Sequence, residues 1–228
     1  MYTIFLFSMR SPLLLYSPMK KGSEVVLEDA NYIIEGAEAG DYTGWAIADA
    51  GDVDGDGKGD ILIGADGVDH TTDSSGAAYL ILGKEFGDNE GQVLINDIST
   101  HFWGSGFGEK LGNAVSTAGD FDGDGLSDLL VGGKGNTDGG ISAGAAFLVL
   151  AQDIPYYTRA LISNVGHQFT GAYSLEEAGV SLFDAGGINA DGLSAILIGA
   201  PVSEYSQHKP GRIYGVFGTH SIEPEQSL

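Results

Sequence analysis

The chain has no cysteine in its 228 residues, which excludes disulfides and thiolate metal centres. Basic side chains are scarce: 10 Lys and Arg stand against 32 Asp and Glu, a formal net charge of −22. Such a surface repels phosphate backbones and anionic lipid, so nucleic-acid and membrane-surface partners are not expected, and divalent cations are its natural counter-charge. No apolar run reaches the ~18 residues needed to span a bilayer, so no membrane insertion is expected. Constellations for catalysis are missing too. There is no phosphate-binding loop, and His70, His101, His167, His208 and His220 lack metal-ligand spacing. His101 and His167 lie near equivalent positions of a repeat described below, which suits a role in the scaffold. The expectation is a protein that is not an enzyme.

What is abundant is glycine, 37 residues, beside an apolar fraction of 43%. That combination suits a packed core joined by many tight turns. Residues 1–22 are set apart from this reading. Their apolar stretch is interrupted by Arg10 without a preceding basic region, as in a degenerate secretion signal or a start placed upstream of Met9 or Met19.

The rest of the chain repeats itself. GDVDGDGKGDILIGAD from Gly51, GDFDGDGLSDLLVGGK from Gly119 and GGINADGLSAILIGAP from Gly186 follow at offsets of 68 and 67 residues. Four glycine columns keep the same register: Gly36, Gly104 and Gly171; Gly44, Gly112 and Gly179; Gly64, Gly132 and Gly199; Gly76, Gly144 and Gly211. Leu27, Ile95 and Ile162 extend the match upstream. The units therefore run over 23–90, 91–157 and 158–228. Each holds short β-branched and aliphatic runs between glycine-rich turns, which predict strands. In the first unit these are Ala46–Ala50, Asp60–Ile63, Ala77–Leu82 and, as a fourth strand, Gln92–Ile98. The second answers with AVSTA, DLLV, AAFLVL and RALISNV. Four strands per unit of this length suggest propeller blades, making the fold class all-β.

Between the first two runs lies an acidic loop. In unit one it places Asp52, Asp54, Asp56 and Asp60 at positions 1, 3, 5 and 9, with Lys58 at position 7 offering a backbone carbonyl. Unit two repeats this with Asp120, Asp122, Asp124, Asp128 and Leu126. Calcium takes six to eight oxygens, and Gly55 and Gly57 permit the bend that wraps them round one ion. Two unit charges ~4 Å apart repel by about 4 kcal/mol at an effective dielectric of 20, so four clustered carboxylates call for a cation. Position 12 holds Ile63 or Val131 where an EF-hand has Glu, and the loop exits into a strand. The expectation is two strand–loop–strand Ca2+ sites. In unit three Gly187 and Ala195 replace the first and last carboxylates. Asn189 and Asp191 remain, which predicts a weak or empty site where these side chains brace the turn by local hydrogen bonds.

These motifs resemble the FG-GAP repeats of the integrin α-subunit β-propeller. Phe107-Gly108 lies near the "FG" position of unit two. Ile198-Gly199-Ala200-Pro201 matches "GAP", with looser copies at Ile63-Gly64-Ala65-Asp66 and Val131-Gly132-Gly133-Lys134. The resemblance implies blades of four antiparallel strands, structural calcium in loops on one face, and a role in adhesion or recognition of a protein or glycan ligand. It implies three FG-GAP-type repeats of a partial propeller, completed by further repeats or by self-association. Extracellular modules bind calcium at about 10⁻⁴–10⁻³ M, so the expected setting is extracellular or the cell surface. The alternatives are a propeller-type hydrolase and a carbohydrate-binding module in which Trp45, Trp103, Tyr156 and Tyr157 stack on sugars. Burial of Trp45 and Trp103 within the blades is the expectation set against the last. The variable stretches Gly67–Ser75, Lys134–Ala143 and Val202–Pro210 are candidate recognition loops.

Overall fold

In the computed structural model, residues 27–86, 91–98, 100–203 and 210–220 are described. The segment 1–22, His208 and most of Val202–Pro210 lie outside them. Of residues 1–31 the described part is a 3₁₀ turn over Leu27–Asp29, closed by the Ala30 N–H donating to the Leu27 carbonyl.

From Tyr32 onward the regular structure of the described residues is mainly β. Strand β1 (Tyr32–Glu35) is followed by β2 (Ala46–Gly51), β3 (Asp60–Ala65), β4 (Ala77–Ile81) and β5 (Gly91–Leu94). A one-turn helix α1 (Ile95–Ile98) leads to β6 (Thr100–Trp103), β7 (Leu111–Gly119), β8 (Asp128–Gly133), β9 (Ala145–Val149) and β10 (Arg159–Leu161). A second one-turn helix α2 (Ile162–Val165) leads to β11 (His167–Thr170), β12 (Ser181–Gly186), β13 (Ala195–Ala200) and β14 (Arg212–Phe217). Sheet one has the order β10-β6-β4-β3-β2, sheet two β11-β9-β8-β7 and sheet three β12-β13-β14. Strand β1 pairs in parallel with β5. Within the three sheets all pairings are antiparallel except β10 beside β6. Among the described residues no sheet closes on itself.

The first three strands of each unit lie where the aliphatic runs place them, but the fourth does not. Gln92–Ile98 divides into β5 and α1, and Arg159–Val165 into β10 and α2. The reason is periodicity. Ile162 and Val165 stand three apart and turn together towards the core, a helical spacing, and both belong to one apolar cluster. The strand beside β4 is instead β6, Thr-His-Phe-Trp, with β10 on its far side, and the strand beside β9 is β11, His-Gln-Phe-Thr. Strands β6 and β11 thus come from the sequence unit after the one that supplies the three strands they extend.

Sheets pack face on face through apolar clusters. Leu62, Ala78, Leu80 and Phe102 of sheet one meet Leu129, Val131, Phe147 and Val149 of sheet two. The other face of sheet two, with Leu130, Ala146 and Leu148, meets Ile196, Ile198 and Ala200 of sheet three. The glycine columns lie at these seams. A Cβ on Gly64 would sit 2.0 Å from the Gly112 carbonyl oxygen, and one on Gly132 2.2 Å from that of Gly179. Backbone lies against backbone there, and only glycine fits.

Trp45 does not pack within the sheets. It is 57% exposed, as Ile47 is at 67%, because both lie on the face of sheet one turned away from sheet two. Trp103 is half-buried, under the guanidinium of Arg159.

Candidate metal centre

Each acidic loop joins two neighbouring antiparallel strands, β2 to β3 and β7 to β8. A β-bulge precedes each loop, where register shifts between Asp49 and Gly51 and again between Thr117 and Gly119. Glycines at positions 4 and 6 have positive φ: 73° at Gly55, 85° at Gly57, 81° at Gly123 and 89° at Gly125. The loop then folds over its own carboxylates. Asp52 accepts the Asp56 and Gly57 N–H groups at 3.1 and 2.9 Å. Asp120 accepts those of Gly123 and Gly125 at 2.7 and 3.1 Å. Asp56 and Asp124 accept the N–H two residues on, from Lys58 and Leu126.

Carboxylate oxygens of Asp52, Asp54 and Asp60 converge within 4.8 Å of one another in the first loop, and those of Asp120, Asp122 and Asp124 in the second. Asp56 and Asp128 stand outside these groups. An all-oxygen donor set on a sharply bent backbone fits a hard divalent cation such as calcium and does not suit soft metals.

Position 9 has a second task. Asp60 and Asp128 are buried, and both oxygens of each carboxylate accept backbone N–H groups. Asp60 takes those of Val53 and Gly83 at 2.8 and 2.7 Å; Asp128 takes those of Phe121 and Ala151, both at 2.8 Å. One side chain thereby joins the start of the loop to the end of the third strand. Burial, opposed by these hydrogen bonds and reinforced by Asp122 and Asp124, pushes the Asp128 carboxyl up to about 6. Burial likewise raises Asp60, with Asp54 and Asp52 adding to it, and raises Asp122, with Asp124 and Asp120 adding. A bound cation acts in the opposite sense by favouring the ionised forms.

The two loops differ in one neighbour. Lys84, just after β4, places its ammonium 2.6 Å from Asp54 Oδ2. The same register position after β9 is Gln152, whose amide donates to Asp122 Oδ2 at 3.1 Å. The backbone carbonyl of Asp122 also meets His220 Nδ1 at 3.2 Å. In the third unit Asn189 Nδ2 donates to Asp191 at 2.6 Å, and Asp191 accepts the Leu193 N–H at 2.9 Å, so these side chains do brace the turn locally. His70 and His101 lie beside Trp103, and His101 packs edge-on against Tyr79. Tyr156 donates to the Val53 carbonyl at 2.8 Å, while Tyr157 is exposed and donates to Glu85.

A second carboxylate column has the same repeat but escaped the sequence reading. Asp41, Glu109 and Glu176 occupy equivalent positions. Glu109 accepts the Ser105 and Gly106 N–H groups and Asn136 Nδ2; Glu176 accepts those of Ala172 and Tyr173 and the Tyr214 hydroxyl. Glu109 and Glu176 are buried. The available signal was the register alone, an acidic residue recurring at offsets of 68 and 67.

Residues 43–81 match the FG-GAP repeat family model, a span that takes in β2, the first acidic loop, β3 and β4. The chain is 27% identical to integrin alpha-PS3 of Drosophila melanogaster over 207 residues, covering 86% of this chain and 17% of the relative. It is 26% identical to integrin alpha-PS5 of the same organism over 206 residues, covering 86% and 19%. With integrin alpha-M of Mus musculus it shares 27% identity over 171 residues, covering 73% and 14%. The chain thus spans less than a fifth of the length of these relatives. The matched repeat begins at Thr43, and the 68-residue offset carries Thr43-Gly44 onto Leu111-Gly112. Phe107 lies four residues upstream of that position and is exposed. The all-β, antiparallel architecture fits a fragment of an integrin-like β-propeller. The chain carries an FG-GAP repeat and is similar to integrin α-subunits along most of its length.

Proposed function

We propose that this chain is a calcium-braced propeller module for adhesion or ligand recognition, working outside the cell or at its surface. The observation that carries the reading is the convergence of three carboxylates in each acidic loop. Asp52, Asp54 and Asp60 would hold one ion and Asp120, Asp122 and Asp124 another, with Asp56, Asp128 and the carbonyls of Lys58 and Leu126 as further oxygen donors. Bound calcium neutralises the clustered charge and tightens the strand–loop–strand turn. In unit three Asn189 and Asp191 are too few for comparable affinity.

The calcium would be structural, which separates this reading from an enzyme. The clustered acids are engaged with loop backbone. Recognition belongs to the opposite end of the sheets. In an antiparallel meander the β2–β3 and β7–β8 loops lie at one end, and the β3–β4 and β8–β9 loops at the other. The variable stretches Gly67–Ser75 and Lys134–Ala143 are those second loops, which makes them candidates for contact with a protein or glycan ligand.

At about tenfold excess over the dissociation constant, each ion adds about 1.4 kcal/mol of stability. Calorimetric titration of chelator-treated protein with calcium should give two sites, and the melting temperature should fall in chelator. A melting curve that chelator leaves unmoved overturns the proposal.

A further inference from the structure

Sheets one and two differ at one polar spot on equivalent strands. The repeat offsets of 68 and 67 residues carry His70 onto Asp138 and His101 onto Gln168. In sheet two this pair is closed within the chain: the Gln168 amide donates to Asp138 Oδ2 at 2.7 Å. In sheet one the residue at the Asp138 position is a histidine and brings no carboxylate. His101 is 2% exposed, and its Nδ1 has no hydrogen-bond partner. Buried polar atoms in folded proteins nearly always have one.

Cross-strand register adds a cation at the same place. Tyr79, His101 and Arg159 form one row across β4, β6 and β10, each directly opposite the next. Trp103 stands two residues along β6 from His101 and so shares its face of the sheet. The Arg159 guanidinium lies 5.7 Å from the centre of the Trp103 ring, and His70 of the β3–β4 loop lies against the same ring. Among the described residues Arg159 has no carboxylate partner, in a chain whose 32 acidic side chains outnumber 10 basic ones. Burial, with Arg159 and His70 adding, lowers His101 to about 4. Its imidazole is therefore neutral at pH 7, with one ring nitrogen able to donate.

We propose that Arg159, His101 and Trp103 form a binding site for a carboxylate presented by a protein partner, an aspartate or glutamate side chain. The carboxylate enters where Asp138 stands in sheet two and moves the exposed His70 ring aside. The guanidinium takes it through paired N–H groups, Nδ1–H of His101 donates to one oxygen, and the Trp103 ring covers the aliphatic stem. A single acid side chain suits the site better than an acidic glycan. The net charge of −22 repels a ligand that carries a charge on every second sugar, whereas one aspartate or glutamate on a neutral segment brings a single charge. The inference names a ligand chemistry for the recognition role proposed above and rests on that role, but not on calcium.

Trp45→Phe leaves Trp103 as the single tryptophan. Its fluorescence is followed while the protein is titrated with N-acetyl-glutamate amide and, as the neutral control, N-acetyl-glutamine amide. A saturable change with the acid alone supports the proposal. In the same background Arg159→Gln should weaken binding at least about tenfold. His70→Asp copies Asp138 and supplies the carboxylate from within, so it too should weaken binding about tenfold. Arg159 and His70 are exposed, and circular dichroism checks that both variants keep the fold. Equal responses to acid and amide overturn the proposal, as do the absence of saturation up to about 50 mM and unchanged binding by folded Arg159→Gln protein. Glucuronate bound more tightly than the glutamate derivative overturns the assignment to a protein partner. The effect of chelator on the melting curve reads the calcium proposal separately, because neither acidic loop contributes to this site.

Discussion

Gly132 offers the most direct check on how the sheets meet. Its Cβ would lie 2.2 Å from the Gly179 carbonyl oxygen and 3.2 Å from the carbon, an overlap of about 1 Å against an ordinary carbon–oxygen contact. Both sides are backbone, at the centre of sheet two and the start of sheet three, so no side-chain rotation relieves it. The sheets must separate, and a gap of 0.5–1 Å forfeits a quarter to a half of each dispersion contact along the seam. Overpacking usually costs 1–3 kcal/mol; with rigid backbone on both sides we expect Gly132→Ala to cost about 3 kcal/mol or more. Gly59→Ala is the matched control. Its φ is not in the left-handed region, and a Cβ there meets nothing closer than Asp49 Oδ1 at 3.9 Å. Ser127 and Ser194 hold the same register position, so a side chain fits. Restricting the unfolded chain should then stabilise by about 0.5 kcal/mol. Urea unfolding of both variants in chelator measures the difference. Gly132→Ala unfolding at the native midpoint would refute backbone-on-backbone packing.

Three further outcomes are expected. Asp128→Ala, leaving the Phe121 and Ala151 N–H groups buried without an acceptor, should cost about 2 kcal/mol in chelator, whereas Asp124→Ala should lose stability only when calcium is present; equal losses of the two variants in both urea series would contradict this. Lys84→Gln removes the ammonium beside Asp54 and copies the Gln152 arrangement, so calorimetry should show the weaker of two calcium affinities rising severalfold. His101 is buried, and burial, with Arg159 and His70 adding, lowers it from 6.5 to about 4. Above pH 6.5 neither the folded nor the unfolded imidazole is charged and stability is full. Between pH 6.5 and 4 only the unfolded state takes the proton, so roughly 3 kcal/mol is lost progressively. His101→Phe should flatten that part of the stability–pH profile, and an unchanged slope would show that His101 titrates freely.

Much of the fold was legible because strands with two buried faces are written as aliphatic runs. Asp60–Ile63 and Ala77–Leu82 lie in β3 and β4, whose neighbours cover them on both sides. The strands beside β4 and β9 were not legible. Thr-His-Phe-Trp and His-Gln-Phe-Thr carry too few aliphatic residues to stand out, while Gln92–Ile98 and Arg159–Val165 carry enough to mislead. Short apolar runs are ambiguous between one helical turn and a strand, and the arbitration comes from which residues face the core. In the acidic loops the spacing of aspartates located the cluster, but spacing could not disclose that Asp60 and Asp128 also hold backbone N–H groups. That depends on the loop start and the strand end 23 residues beyond each aspartate meeting at its carboxylate. Exposure of Trp45 escaped for a related reason: its burial is a property of which sheet lies opposite, not of its own neighbours in sequence.

The offset between sequence unit and sheet changes what can be cut or exchanged. A protease acting in the connector after β4 would leave both fragments with an incomplete sheet, since β6 and β10 travel with the downstream piece while β2, β3 and β4 stay upstream. The chain behaves as a lapped joint in which every seam is crossed by two kinds of bond, side-chain packing between faces and backbone pairing from the next unit. Local opening at one sheet would therefore draw on its neighbour, and amide exchange should lose protection in adjacent pairs of sheets together rather than one at a time.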